Sequence, residues 1–295
     1  MLAGVALTSC GSKYGIKHLD QPTSAVGAGD LLDARSLTAE SRGALEGAGL
    51  RRPPKSNPDA TVRAIQEQLA VRESPELRAA AAEICFDTAL RRKKKDLRAA
   101  MGYWLSAIEL TQPPHRTTEA GREIYNQSSA ALAVSLWREW GARRDQLSVS
   151  GPLGSYRIGW DEGVEERVSP GAVDQLHAAS ALQVKGFEDR ARRSGYGGPL
   201  VGFLASTPER MKENPFIPPL GQALPLASVV RVHGESRATV ALKDVLENDR
   251  IMLGGRPYPL AADYTAALAT LTASSPGSSI GLRGLVRACL LYTSD

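Results

Sequence analysis

The sequence is poor in aromatic residues, in cysteine and in long apolar runs, and each shortage removes a class of protein. Of 295 residues, 5% are aromatic and only three are cysteine. Cys10, Cys85 and Cys289 lie far apart and form no CxxC pair, so the sequence indicates neither a zinc site nor a disulfide framework. No run of about 20 apolar residues exists, which argues against a membrane-spanning helix.

The charge balance is close to neutral and says little about partners. There are 36 lysine and arginine residues against 32 aspartate and glutamate residues, a formal net charge of +4. So small an excess does not predict nucleic-acid binding, and we expect no nucleic-acid partner. The hydrophobic share of 42% is too high for a disordered chain, and the length allows one large domain or two smaller ones.

The amino terminus has the pattern of a bacterial lipoprotein signal. A short apolar stretch ends in Leu7-Thr8-Ser9-Cys10, which resembles a lipobox: a leucine, two small residues and the cysteine that receives lipid. The pattern predicts a signal peptide over residues 1–10 and attachment to a membrane surface through lipidated Cys10. It therefore predicts a location in the cell envelope, at the outer membrane if the source is Gram-negative.

Two features depart from that pattern. No lysine or arginine precedes the apolar stretch, and the stretch is short, so we expect the natural start to lie upstream of Met1. The alternative is a buried apolar start with an ordinary cysteine.

The segments on either side of the central region are interpreted as linkers or as foreign sequence. Residues 11–58 are rich in Gly, Ala, Ser and Asp and contain four prolines, a composition typical of a tether. Within it the sequence also allows a short helix over residues 36–48, although its apolar stripe is thin. Residues 274–288 are interpreted as a linker. Residues 289–295 resemble the translation of a sequencing-library adaptor and are expected not to be natural protein sequence; the alternative is a natural apolar strand.

Residues 59–146 have helical periodicity and several helix start signals. Asp59 or Thr61 can cap a first helix. A second helix starts after Ser74, a third after Asp96, and a fourth after Thr117 or Thr118. Short connections predict antiparallel hairpins, and the many alanines permit the close approach seen in tetratricopeptide-like hairpins. No sustained period of about 34 residues exists, so a repeat array is not predicted.

From residue 147 to residue 273 the pattern favours short strands. Residues 227–233 and 239–245 alternate around Gly234-Glu235-Ser236, which predicts a hairpin. Residues 175–184 fit neither period clearly, and residues 264–273 predict a short helix. The predicted fold class is therefore α+β: an amino-terminal tether, antiparallel helical hairpins, then a β-rich region with a short helix.

Two segments together imitate a serine hydrolase site. Gly277-Ser278-Ser279-Ile280-Gly281 fits the nucleophile-elbow pattern, and His233-Gly234 follows a predicted strand, as an oxyanion element does. A loop rather than a buried strand precedes Ser279, and no acid and histidine follow it in the required order. His233 is expected in a hairpin, not before a helix. We therefore assign no catalytic residue to this chain.

The other clusters favour structural roles. His18, His115 and His177 are isolated and show no metal-ligand spacing, so no metal site and no cofactor are predicted. Three further groups have a functional alternative that we rank below a solvated surface or core. These are Asp161-Glu162 with Glu165-Glu166 as paired carboxylates, the basic run Arg91-Arg92-Lys93-Lys94-Lys95 as a phosphate contact, and Trp104, Trp137 and Trp140 as a ligand platform.

Six segments carry a resemblance to a known family. They are Leu7-Thr8-Ser9-Cys10; Gly15-Ile16-Lys17-His18-Leu19-Asp20; Leu37-Thr38-Ala39-Glu40-Ser41 with Leu45; Ile124-Tyr125-Asn126; Gly198-Pro199-Leu200-Val201-Gly202; and residues 259–269. Together they resemble the amino-terminal part of bacterial lipoproteins of the α/β-fold serine hydrolase family. The resemblance implies that a hydrolase domain follows, and no residue here matches its catalytic motifs in the right context.

Three hypotheses follow for function. The first is a non-catalytic front part of a membrane-anchored ester- or acyl-cleaving hydrolase, itself inactive. The second is an envelope lipoprotein that acts as a binding or scaffold module through its helical hairpins. The third is an intracellular nucleic-acid binder using the basic run, which predicts strongly salt-dependent binding and no lipid on Cys10.

Overall fold

Most helices lie in the first half of the described chain and most strands in the second. The computed structural model describes residues 15–18, 37–50, 57–143, 145–161, 168–185, 187, 189–213 and 221–273. The helices are α1 Ala39–Gly47, α2 Pro58–Val71, α3 Pro75–Arg92, α4 Leu97–Thr111, α5 Glu119–Trp140, α6 Pro208–Glu213 and α7 Tyr264–Ala273. The strands are β1 Gly15–His18, β2 Leu147–Gly151, β3 Gly154–Trp160, β4 Gln175–Ala178, β5 Leu182–Lys185, β6 Arg192–Arg193, β7 Gly198–Leu204, β8 Gln222–His233, β9 Arg237–Asp244, β10 Arg250–Leu253, β11 Arg256–Pro259 and β12 Ala262–Asp263. The predicted α+β class is confirmed.

Three of the predicted helix starts are confirmed by side-chain caps. Ser74, Asp96 and Thr118 each accept a hydrogen bond from the backbone N–H three residues on. Such a bond satisfies one of the free N–H groups at a helix start. For α2 the cap is Asn57 instead of Asp59 or Thr61, because Pro58 suits the first helical position.

Helix α1 lies inside the segment predicted as a tether, where the sequence also allowed a short helix, and it packs on the main core. Leu45 is 2% exposed and belongs to the main core. Thr38 and Ser41 donate hydrogen bonds to the carboxylate of Glu83, which is buried on α3. Polar contacts therefore add to the few apolar ones in holding α1 on α3.

The strands form a six-stranded mixed sheet and three small two-stranded sheets. The order in the main sheet is β2-β3-β9-β8-β7-β4, with β3 and β9 parallel and the other neighbours antiparallel. The predicted hairpin is β8 and β9, joined by a short 3-10 turn from Gly234 to Ser236. In the small sheets β1 pairs with β5, β10 with β11, and β12 with β6.

Helices α4 and α5 pack on this sheet through small residues. Gly102 on α4 contacts β2 so closely that a Cβ atom there would lie 2.0 Å from the carbonyl oxygen of Ser150. Trp104, fully buried, and Leu105 fill the core beside this contact. One large apolar cluster therefore joins the helices to the sheet, and α7 packs on β8 and β1. No helix among the described residues is long and apolar enough to cross a membrane.

Candidate functional site

A cleft of about 710 Å³ lies between the first half of α5 and the chain around β6 and β12. Its α5 wall carries Glu119, Glu123, Asn126 and Gln127. The volume lies in the range of small-molecule sites, and the lining mixes charged, amide and apolar groups. This cleft is the candidate functional site.

The close approach of β7 to α5 creates one end of the cleft. A Cβ atom on Gly198 would lie 2.3 Å from the backbone nitrogen of Ala130 and 2.6 Å from the carbonyl oxygen of Asn126. Only a glycine permits this distance between strand and helix. The Asn126 side-chain amide donates to the carbonyl oxygen of Gly195 at 3.0 Å, which ties the segment before β7 to α5.

Three tyrosines hold the same segment in place. Tyr196 packs edge-to-face on Tyr125, with ring centroids 5.4 Å apart, and on Tyr258, at 4.8 Å. The Tyr125 hydroxyl donates to the carbonyl oxygen of Val230 at 2.8 Å, and burial raises the pKa of this phenol. Edge-to-face pairs of this kind add stability beyond their buried area. The segment between β6 and β7 therefore has a fixed position.

Asp263 organises the opposite wall. Its side chain is 4% exposed, and Oδ2 contacts Nη2 of Arg190 at 2.8 Å and Nε of Arg192 at 3.0 Å. Oδ1 accepts the backbone N–H of Ala266 at 2.9 Å and so caps α7. One carboxylate thus joins a strand pair, two arginines and a helix start.

The neighbouring Arg193 also bonds to the protein itself. Its Nε donates to the carbonyl oxygen of Leu260 at 2.8 Å, and Nη2 donates to those of Val245 and Asn248 at 3.3 and 3.2 Å. The guanidinium lies over the ring of Tyr264, 5.9 Å from its centroid. Arg192 and Arg193 therefore serve the fold of this wall.

The α5 wall, by contrast, has buried acceptors without partners. Asn126 is 6% exposed and Gln127 8% exposed. Within the described chain, neither Asn126 Oδ1 nor Gln127 Oε1 has a hydrogen-bond partner. Gln127 Nε2 donates to Glu123 Oε1 at 2.9 Å. Buried polar atoms are normally paired, and an unpaired one costs about 1–3 kcal/mol, so these two oxygens lower the stability of the α5 wall.

The predicted lipidation site and the rejected elbow both lie outside the described residues. Cys10, Ser279, the signal peptide over residues 1–10, the linker over residues 274–288 and the tail over residues 289–295 belong to that part of the chain. Their predicted roles stay predictions.

The described histidines lie on different elements. His233 is in the β8–β9 hairpin, as expected, with Nε2 3.1 Å from the Thr239 hydroxyl. Burial and the nearby Arg237 lower its pKa. His115 follows α4, and burial and Arg78 lower its pKa. His177 lies on β4, 3.4 Å from the side-chain oxygen of Gln175. No group of three potential metal ligands occurs among the described residues.

The charged clusters occupy structural positions where they are described. Asp161 pairs with Arg231 at 3.4 Å; Glu162, Glu165 and Glu166 lie outside the described part. The basic run ends α3, where cations suit the helix dipole. There Arg91 pairs with Asp87 at 2.6 Å, and Arg92 lies over the Tyr103 ring.

The sequence contained a signal for the cleft that its interpretation missed. Asn126-Gln127-Ser128-Ser129 is a run of four polar residues inside a helix, and all four are buried. Buried polar side chains are costly, so a polar run inside a predicted helix marks an unusual place in the fold. Of the four residues, Asn126 and Gln127 line the cleft. Asp263 and its arginines are about 70 positions apart, and no periodic pattern links them.

No protein-family model, curated protein or solved structure matches this chain.

Proposed function

We propose that this chain is a non-catalytic part of a membrane-anchored α/β-hydrolase whose whole protein cleaves ester or acyl bonds. The observation that carries the proposal is that several segments with the family resemblance line the same cleft. Glu40, Asn126, Pro199 and Asp263 come from four of the six segments on which the family resemblance depends, and all four line the one cleft. The segments that carry the resemblance therefore share one part of the fold.

The contacts of His233 are consistent with a non-catalytic role. A serine hydrolase needs a histidine between a nucleophilic hydroxyl and an orienting acid. The hydroxyl partner of His233 is Thr239, which lies on the adjacent strand of the same hairpin. The acid that raises the pKa of His233 is Asp161, and this carboxylate is paired with Arg231. The hairpin thus accounts for the contacts of His233 without catalysis.

The test is to purify the full chain and measure hydrolysis of p-nitrophenyl esters of several chain lengths. We expect no turnover above a heat-inactivated sample. Robust turnover that Ser279→Ala abolishes would contradict the proposal, because the nucleophile would then lie within this chain. The uninterrupted gene should also continue in frame into a hydrolase domain with its own elbow motif.

The membrane anchor is tested separately. The uninterrupted gene, expressed from its natural start codon in a bacterial host supplied with radiolabelled palmitate, should give a labelled protein that fractionates with membranes. Cys10→Ser should remove both properties, whereas Cys85→Ser keeps the labelling, because Cys85 is fully buried in the core. Unlabelled wild-type chain would remove the anchor from the proposal.

A second candidate function is a complete envelope lipoprotein that acts as a binding module. The specific observation in its favour is the α5 wall, where Asn126 Oδ1 and Gln127 Oε1 are buried without partners. A stop codon soon after codon 288 of the uninterrupted gene, with no elbow motif downstream, would favour this function over the first.

A further inference from the structure

The first strand of the fold lies close along the chain to the predicted lipidation site. Gly15, which begins β1, is five residues after Cys10. A chain of five residues spans at most about 18 Å, even when it is fully extended. A lipid on Cys10 would therefore keep β1 within that distance of the bilayer surface.

Strand β1 is fixed to the body of the protein. It pairs antiparallel with β5, and these two strands, Gly15–His18 and Leu182–Lys185, are called the β1–β5 ribbon below. Ile16 and Val184 of the ribbon pack on a small apolar cluster that includes Val201 on β7. An anchor so close to β1 would therefore restrain the folded body itself.

The β1–β5 ribbon lies on the opposite face of the main sheet from α4 and α5. Gly198 of β7 contacts α5, whereas Val201, three residues later on the same strand, belongs to the cluster under the ribbon. Side chains alternate between the two faces of a strand, so residues an odd number apart face opposite ways. Helix α3 packs on α4 and α5, and α2 packs on α3. The exposed surface of α2 is therefore separated from the ribbon by the sheet and a helix layer, about 20 Å of protein.

The outer surface of the ribbon carries two positive charges. Because Ile16 and Val184 face inward, the alternation turns Lys17, Gln183 and Lys185 outward, and all three are exposed. Lys17 lies opposite Gln183, so the two lysines are diagonal neighbours, about 7–8 Å apart. Neither strand contains an acidic residue, and neither lysine takes part in an ion pair within the described ranges. This surface therefore suits a partner with negative charge.

We propose that the β1–β5 ribbon is the face of the protein that lies against the membrane, with Lys17 and Lys185 contacting the phosphate groups of anionic lipids. The proposal rests on the proposed lipid anchor at Cys10. It is carried by the short chain between that anchor and β1, together with the charge of the exposed ribbon surface. A lysine near an anionic bilayer adds about fivefold to the affinity, so two lysines orient an anchored protein but do not hold it there by themselves.

The experiment is photocrosslinking of the lipidated protein to its lipids. The uninterrupted gene is expressed with the change Gln183→benzoylphenylalanine, and the purified protein is inserted into vesicles of phosphatidylethanolamine and phosphatidylglycerol. We expect irradiation to join lipid to position 183. The matched control is Glu67→benzoylphenylalanine, on the exposed surface of α2, which should give at least about tenfold less lipid adduct because that surface is directed away from the ribbon.

Variants of the two lysines test the contribution of charge. Lys17→Gln/Lys185→Gln should lower the lipid adduct at position 183 by about fivefold or more in these anionic vesicles. In vesicles of phosphatidylcholine alone, which carry no net charge, the same variant should match the wild type. The control of equal charge is Lys94→Gln/Lys95→Gln, at exposed positions after the end of α3, which should change the adduct by less than about twofold. The circular dichroism spectrum of each variant shows whether it has folded.

Palmitate labelling of the same preparation separates this inference from the proposed function. The inference is overturned, and the anchor kept, if the labelled protein gives no lipid adduct at position 183, or equal adducts at positions 183 and 67. Crosslinking of position 183 to a second copy of the protein in place of lipid also overturns it, as does a lipid adduct that the two lysine changes leave unaltered. A protein without label removes the anchor and this inference together.

Discussion

The buried carboxylate of Glu83 on α3 accepts two hydrogen bonds from Thr38, one from its backbone N–H at 2.7 Å and one from its hydroxyl at 2.8 Å. The Ser41 hydroxyl donates to the same carboxylate. Thr38 also caps α1 by accepting the N–H of Ser41. A single buried carboxylate therefore holds α1 against α3 and fixes the first turn of α1.

Glu83→Gln should detach α1. A carboxamide has one acceptor oxygen, and its NH₂ group would face the donors of Thr38 and Ser41, so we expect a loss of about 2 kcal/mol in the free energy of unfolding. Urea denaturation measures the loss, and faster amide hydrogen exchange confined to α1 identifies its origin. Glu67→Gln, on an exposed face of α2, is the control and should change stability by under about 0.5 kcal/mol. Equal stability of the two variants would contradict this role of Glu83.

Gly102→Ala tests the contact between α4 and the sheet. The new Cβ atom would lie 2.0 Å from the Ser150 carbonyl oxygen, so helix and strand must separate, at a cost of about 3 kcal/mol. Gly43→Ala on α1 is the matched control, because a Cβ atom there meets nothing within 4 Å. Alanine is the better helix former, so this control should gain about 0.5–1 kcal/mol. Thermal and urea unfolding of both variants should therefore move in opposite directions.

Asp263→Asn tests the wall of the cleft opposite α5. The change keeps an acceptor for the N–H of Ala266 but removes the charge that Arg190 and Arg192 face, and we expect a loss of about 2 kcal/mol. Glu119→Gln removes the ion pair with Arg122, in which the glutamate side chain is 89% exposed. That control should cost under about 0.5 kcal/mol. Similar losses in the two variants would show that Asp263 is not the organising residue.

The two histidines with lowered pKa values should make the protein less stable as pH falls. Burial and Arg78 lower the pKa of His115, and burial and Arg237 lower that of His233, so both bind a proton more readily in the unfolded chain. Their contribution is present above the unfolded pKa of about 6.5 and is lost as pH falls below it. Urea unfolding at pH 7.5, 6.5 and 5.5 should show this decline.

The variant His115→Gln/His233→Gln gives the check on that assignment. We expect a flatter dependence on pH than in the wild type, because the groups that take up the protons on unfolding are gone. Carboxylates stay ionised over most of this range, so they contribute little to the slope. An unchanged slope in the double variant would assign the pH dependence to other groups.

Local signals in the sequence predicted the long helices, the short helix α7 and the β8–β9 hairpin. Ser74 with Pro75 marks the start of α3, and the predicted helix over residues 264–273 has the bounds of α7, because capping and helical periodicity are short-range effects. Local signals did not predict the structure of residues 175–184, which contribute to β4, a 3-10 turn and β5. Their structure depends on partners far along the chain, with β4 on β7 and β5 on β1.

The cleft depends on the same kind of long-range contact. Asp263 meets Arg192 across 71 positions, and Asn126 meets Gly195 across 69. Neither contact produces a periodic pattern in the sequence, because the residues around each partner show only the periodicity of their own helix or strand. The resemblance nevertheless named Asn126, Pro199 and the segment with Asp263, although it gave no reason for these three to meet.

The measurement that tests the proposed function most directly is fluorophosphonate labelling of the protein encoded by the uninterrupted gene, followed by mapping of the labelled serine. A fluorophosphonate reacts covalently with an activated serine nucleophile and so reports the catalytic residue itself. We predict one labelled serine, beyond residue 288, with residues 1–288 unlabelled. A protein without any labelled serine, or one labelled at Ser279, would contradict the proposal that this chain is the non-catalytic part of a hydrolase.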